Sequence, residues 1–249
     1  MSERFTWLRQ AAAFAVLLIA WEAAGRAQLL NPLFMPSPSQ IGAALVDLFG
    51  SGSIWPHLEA TFTAALGGLA VGIAVGILLG VIAALVPFLG ELIAPVMTVL
   101  NGIPRVILAP LFVIWLGIGL ASKVALAFIL VAVLIFFAVF GGIRQADRRL
   151  VERIITLGGT RWSLVQHVYL PSVTAWVLGS LKVAVGFAFT GAVVGEFVAA
   201  TRGLGYLLSF AQSTYNSALM FALIFLILVV VLAIFWIAGR LERYLLRWS

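Results

Sequence analysis

Apolar and polar positions alternate along this chain on a long scale. Stretches of apolar residues are separated by short segments rich in proline, glycine and charge. A helix needs about 20 mostly apolar residues to cross a bilayer. On that measure the pattern predicts spans over about 7–27, 60–85, 92–116, 123–140, 172–194 and 218–238. Between the first two, Asn31-Pro32 and Met35-Pro36-Ser37-Pro38 forbid regular helix. Ser39 is then expected to cap a short helix over 40–49, with Ile41, Leu45 and Leu48 on one face, lying in the interface rather than across it. The second span carries Gly68, Gly72, Gly76 and Gly80, extended by Ala64 and Ala84. A spacing of four places these small residues on one helix face, which predicts a close seam against a neighbouring helix. The third span is interrupted by Pro95, Pro104 and Pro110 and by Asn101-Gly102. Broken helices survive at membrane depth only where neighbours or a cavity satisfy the freed backbone groups. That is either a kinked packing helix or a helix at a substrate path.

Composition strengthens this picture. Of 249 residues, 63% are hydrophobic and 10% charged, more apolar surface than a soluble domain of this length can hide. The first apolar stretch has no clear cleavage site after it and is expected to be a retained span. The formal net charge is +6, with the basic residues in loops and at the chain ends, so nucleic acid is not implied as a partner. If the N-terminus is inside, the inner segments hold Arg4, Arg9, Arg144, Arg148, Arg149, Arg153, Arg161, Arg240, Arg243 and Arg247. The outer ones hold Arg26 and Arg202, with Lys123 at an outer helix end. The bias predicts that both termini and the 141–170 segment are cytoplasmic.

The candidate chemistry is sparse. There is no cysteine, and the two histidines, His57 in an expected outer loop and His167 in the 141–170 segment, form no i, i+4 pair. No carboxylate cluster occupies the spans, so neither a metal site nor a nucleophile–base set is expected, and the chain does not read as an enzyme. Acids or histidines for ion coupling, usual in a secondary carrier, are also missing from the span interiors. No Gly-x-x-x-x-Gly-Lys-[Ser/Thr] loop is present to cradle ATP phosphates.

The 141–170 segment carries the most information. Residues 149–157 can form a short helix with charged and apolar faces, Gly158-Gly159 allows a sharp turn with positive φ, and Thr160 can cap a second helix through His167. Pro171 is then expected to open the fifth span, where a missing N–H costs nothing. The run from Glu152 to Pro171 resembles the signature loop of ABC importer permeases: Glu-Ala-Ala, three residues, Gly, nine residues, an Ile-like residue, one residue, Leu-Pro. Glu152, Gly158, Val168, Leu170 and Pro171 keep that spacing, while Arg153 and Ile154 stand where the family favours alanines. Further motifs, in order, resemble the nitrate/sulfonate/taurine branch: Met35-Pro36-Ser37-Pro38, Ile103-Pro104-Arg105, Ala109-Pro110-Leu111, Gly117-Ile118-Gly119, Gly195-Glu196 and Gly203-Leu204-Gly205-Tyr206. A secondary carrier has no reason to possess such a loop, though an ATP-independent transporter or channel is the alternative.

The resemblance implies an all-α, six-span bundle forming one transmembrane domain over 1–249 and working as a homodimer in the bacterial inner membrane. It implies an external solute-binding protein and a separate ATPase subunit that carries the ATP and magnesium, with no cofactor on this chain. The ATPase would grip the 148–168 knob through Gly158, Gly159, Thr160, Arg161 and Trp162. The cargo would be a small, anionic solute of the nitrate, sulfonate or taurine kind.

Arg105 and Lys182 lie deep in the third and fifth spans, where a charge must face protein or water. With Asn101 they are candidates for the translocation path. The alternatives are pairing with a carbonyl or acid, or reaching an interface. Glu22 and Glu196, near outer span ends, either belong to an external gate or are solvated, and solvation is the default expectation. Trp7, Trp21, Trp55, Trp236 and Trp248 fit interfacial belts.

Overall fold

Apolar runs this long leave the backbone no partner but itself in lipid, and the chain accordingly folds into helices joined by short turns. The structure is a computed structural model that describes residues 2–245, with the side chains of 9–104, 106–160, 162–240 and 243. Arg247, Trp248 and the side chains of Arg4, Trp7, Arg105 and Arg161, all singled out above, lie outside that description. The helices are α1 (Ser2–Arg26), α2 (Pro38–Gly50), α3 (Trp55–Leu85), α4 (Pro87–Gly102), α5 (Arg105–Leu116), α6 (Leu120–Arg144), α7 (Arg148–Thr156), α8 (Arg161–Leu164), α9 (Leu170–Val198), α10 (Leu204–Ser213) and α11 (Ser217–Leu245).

Central α6 buries Leu126, Ala127, Val131, Ile135, Phe136 and Val139. The glycine face of α3 lies directly on it, as the spacing of four predicted. A Cβ added at Gly72 would sit 2.6 Å from Val131 Cβ, at Gly76 2.8 Å from the Ala132 carbonyl oxygen, and at Gly80 2.7 Å from Val139 Cβ. On the other side of α6, a Cβ at Gly191 of α9 would meet Ala127 Cα at 2.7 Å. Helices α3, α6 and α9 thus approach backbone to backbone, the contact that drives helix association where lipid removes the hydrophobic gain.

Among the described residues four helices are long and apolar enough to span, with a fifth if α4 and α5 count as one. The third span is interrupted, as its prolines predicted: α4 and the following helix meet at 109°. Pro104 stands at the break, outside both helices, with no side-chain cap beside it. α1 is 25 residues long but carries Arg9, Glu22 and Arg26 and is not one of the four. The short helix starts earlier than expected. Ser37, not Ser39, is its N-cap, and Gln40 closes a capping box: Ser37 N–H donates to Gln40 Oε1 at 2.9 Å and Gln40 N–H to Ser37 Oγ at 3.4 Å. α3 begins at Trp55, which moves His57 from an outer loop into its first turn. Finally, α10 is a helix where only a loop was expected.

The 148–168 knob keeps its two helices, but the second is not separate from the fifth span. After α8 the backbone passes through a widened π-turn, Val165–Tyr169, straight into α9, so that Trp162–Val198 is one 37-residue helix. Pro171 is the reason: it has no N–H to donate and its ring crowds the carbonyl one turn back, and a widened turn relieves that clash without ending the helix.

Candidate functional site

Two regions concentrate polar chemistry, one at each end of the bundle. The first is the arginine-rich knob. Asp147 accepts from Arg149 N–H at 2.8 Å and caps α7. α7 ends as its glycines demand: Gly158 takes φ +79°, its N–H bonds Ile155 O at 3.0 Å, and Gly159 N–H reaches back to Ile154 O at 2.9 Å. These two bonds make a Schellman motif. Thr160 and Ser163 then bond each other's backbone N–H, at 3.3 Å and 3.2 Å, and cap the helix that starts at Arg161. Leu157 and Trp162, either side of the turn, are 77% and 70% exposed. Glu152 pairs with Arg148 at 3.2 Å on the helix surface, a fully exposed i, i+4 pair of little energetic weight. Val168 is buried, and Ser172 Oγ donates to Gly142 O at 2.8 Å, fixing the knob's base to α6. Leu170, at the head of α9, is exposed. The turn residues expected at the knob therefore come together, offering two apolar side chains on a rigid turn.

The second region lies at the opposite end, and sequence reasoning missed it. Glu196 is not solvated: it is 1% exposed. Its Oε2 accepts from Thr61 Oγ1 at 2.8 Å and from Gly205 N–H at 3.0 Å. Thr61 Oγ1 in turn accepts from Leu204 N–H at 2.9 Å. Lys123, expected at an outer helix end, is likewise buried and donates to Arg202 O at 3.3 Å. His57 Nδ1 faces the Gly203 backbone, 3.1 Å from its N–H and 3.2 Å from its carbonyl oxygen. A charge inside an apolar run was the available signal.

Asn101 is exposed in the last turn of α4. Lys182 is exposed on α9 and its ammonium lies 5.7 Å from the Phe235 ring centroid of α11, a cation–π contact. One turn closer to the knob, Ala175, Trp176, Gly179 and Ser180 line an open depression of about 420 Å³. Glu22 pairs with Arg26 at 2.7 Å and accepts from Ser39 N–H at 2.9 Å, tying α1 to α2. Of the tryptophans, Trp55 and Trp236 are well exposed, whereas Trp21 meets Phe221 edge-on with centroids 6.4 Å apart.

Residues 76–247 match the family described as "Binding-protein-dependent transport system inner membrane component". The chain is 37% identical over 249 residues to the riboflavin transport system permease protein of Chloroflexus aurantiacus, covering 99% of this chain and 93% of that one. It is 31% identical to the formylaminopyrimidine transport permease protein of Halalkalibacterium halodurans, with 94% and 93% covered. It is 28% identical to the taurine transport system permease protein of Escherichia coli, with 94% and 87% covered. In fold it is similar to a chain of the methionine ABC transporter MetNI in inward-facing conformations, with a TM-score of 0.62, 22% identity and 78% and 94% of the two chains covered. A second solved structure, an amino acid ABC transporter with histidines, gives a TM-score of 0.66 at 15% identity, with 80% and 97% covered.

Proposed function

The chain belongs to the family of binding-protein-dependent transport inner-membrane components, the permeases of ABC importers, and on that premise we propose that it is the membrane-spanning subunit of an ATP-driven importer of a small solute. The observation that carries this reading is the knob: a Schellman turn and a capped helix that hold Leu157 and Trp162 outward at the arginine-rich end. Such a turn is stiff enough to transmit force and apolar enough to be gripped. The ATPase, a separate subunit, docks there in the cytoplasm. The chain itself makes and breaks no bonds. Two copies present two knobs to two ATPases, an external binding protein delivers solute, and nucleotide-driven closure of the ATPases shifts the pair between inward- and outward-open states. Both termini face the cytoplasm on this reading, with the arginine-rich end.

Co-purification from native membranes tests it. The tagged chain is expected to bring down a Walker-type ATPase in stoichiometric amount, and Gly158→Asp, which sets a negative charge between the exposed Leu157 and Trp162, to lose it. Active uptake by the chain reconstituted alone would replace this reading with that of a secondary carrier.

For the solute we propose a small anion, guided by the exposed Lys182 ammonium on α9, within a span. Lys182→Gln is expected to cut uptake of labelled taurine or an alkylsulfonate by at least about tenfold, equivalent to about 1.4 kcal/mol. A second reading, a planar nitrogen heterocycle, is favoured by the relatives named for riboflavin and formylaminopyrimidine. Riboflavin uptake insensitive to Lys182→Gln, with no taurine uptake in the parent, would select it.

A further inference from the structure

Five consecutive residues, Arg202 to Tyr206, are held by four side chains from three other helices. Lys123 of α6 holds the Arg202 carbonyl at 3.3 Å. His57 of α3 holds Gly203 N–H at 3.1 Å, and its ring stacks parallel on Tyr206 with centroids 5.8 Å apart. Thr61 of α3 holds Leu204 N–H at 2.9 Å, and Glu196 of α9 holds Gly205 N–H at 3.0 Å. The first N–H groups of a helix have no partner within it. The first two of α10, Leu204 and Gly205, are capped by side chains from two other helices, α3 and α9. The Thr61 hydroxyl has one proton. Its bond to Glu196 Oε2, at 2.8 Å, is shorter than the contact to His57 O at 3.1 Å, so the hydroxyl relays Leu204 N–H to the carboxylate.

The fit leaves no slack. Gly203 has φ +127°, and a Cβ there would overlap the Glu196 carboxyl group. A Cβ at Gly205 would overlap the Val193 carbonyl. Behind this polar layer Leu204 and Ala211 are fully buried in the core shared with Ile54, Ala64 and Ala192. Lifting α10 would strip a buried carboxylate of its donors and leave consecutive N–H groups unpaired, both costly away from water.

We propose that Glu196 is a positioning residue that locks the α9–α10 hairpin to α3 and α6, so that this end of the bundle travels through the transport cycle as one rigid block. α10 is then not a lid. Solute passes at the boundary of the block, on the side where α4 and α5 stand, and not between α10 and α3. This rests on the importer reading above.

The chain contains no cysteine, so Ala211→Cys gives a single buried probe on α10 at a position that makes none of the locking hydrogen bonds. In nanodiscs with its ATPase and binding protein, this cysteine is expected to resist a hydrophilic maleimide equally without nucleotide, with ATP, and when trapped with vanadate. Adding Glu196→Ala should speed labelling by at least about tenfold. Glu196→Gln, which keeps an acceptor for Thr61 and Gly205, should restore protection. If Glu196→Ala does not fold, Thr61→Val against Thr61→Ser makes the same comparison. Labelling that rises on ATP binding with the lock intact would overturn the proposal, as would equal protection in the alanine and glutamine variants. Failure of ATP-dependent uptake by the Ala211→Cys complex would instead count against the importer reading, since the protection measurement does not depend on uptake.

Discussion

Gly68→Ala is expected to lower the thermal midpoint of the detergent-solubilised protein by roughly 2–12 °C, and Gly68→Val to abolish folded protein. The alanine methyl would land on Ala127 Cβ and lie 2.9 Å from the Phe128 amide nitrogen. Neither neighbour can swing aside. Ala127 is fully buried with its Cα pressed on Gly191 from the opposite side, and the other contact is backbone. α3 must therefore move off α6, which also loosens Gly72, Gly76 and Gly80 along the same seam. Overpacking of this kind costs about 1–3 kcal/mol, and about 2–4 °C per kcal/mol for a chain of this size gives the range stated. Gly179→Ala is the control. Nothing lies within 4 Å of a Cβ there, so its midpoint should stay within about 0.5 kcal/mol of the parent. Equal midpoints for Gly68→Ala and Gly179→Ala, read by scanning fluorimetry or size-exclusion survival after heating, would show that the seam has slack.

The seam was legible in the sequence because it is local. Four glycines at a spacing of four declare a face whatever the partner, and only the identity of that partner, α6, needed the structure. The knob was legible for the same reason: Gly158, Gly159 and Thr160 act on the backbone within a few residues. The lock on α10 was not. Its members, His57, Thr61, Lys123, Glu196 and Gly203 to Gly205, are scattered over 149 residues of chain, and no period links them. Each alone has a plain reading, a loop histidine or a solvated acid near a span end. The signal for α10 itself was present in Leu204, Leu207, Leu208 and Ala211, spaced for one helix face, but the glycines before them read as loop. The break in the expected third span shows a different limit. Pro95, Pro104 and Pro110 announce an interruption, yet a proline fixes only φ at its own position. Whether the two halves continue or turn by 109° is decided by packing against α3 and α6.

Gly159→Ala should separate ATP hydrolysis from transport. The expected result is uptake reduced at least tenfold, about 1.4 kcal/mol or more, in a permease that stays folded and still binds its ATPase. The cause is geometric. A Cβ at Gly159 would overlap Ile154 Cγ2 and lie 2.8 Å from the Ile154 carbonyl oxygen, the same atom that accepts the Gly159 N–H. The turn must open, the Schellman bond is lost, and α7 swings relative to α8. Leu157 and Trp162, 77% and 70% exposed on either side of the turn, then no longer hold their relative positions. Because the knob stands outside the core, the thermal midpoint should fall less than in Gly68→Ala. Gly158→Asn makes the contrast. That position needs only a left-handed backbone, φ +79° with open space around it, and asparagine adopts this conformation at modest cost. Uptake by Gly158→Asn should remain within about threefold of the parent, the span of less than 1 kcal/mol. Proteoliposomes reconstituted with the ATPase and binding protein give uptake and hydrolysis rates side by side. Normal uptake by Gly159→Ala would mean that the ATPase grips the knob without depending on the angle of its turn.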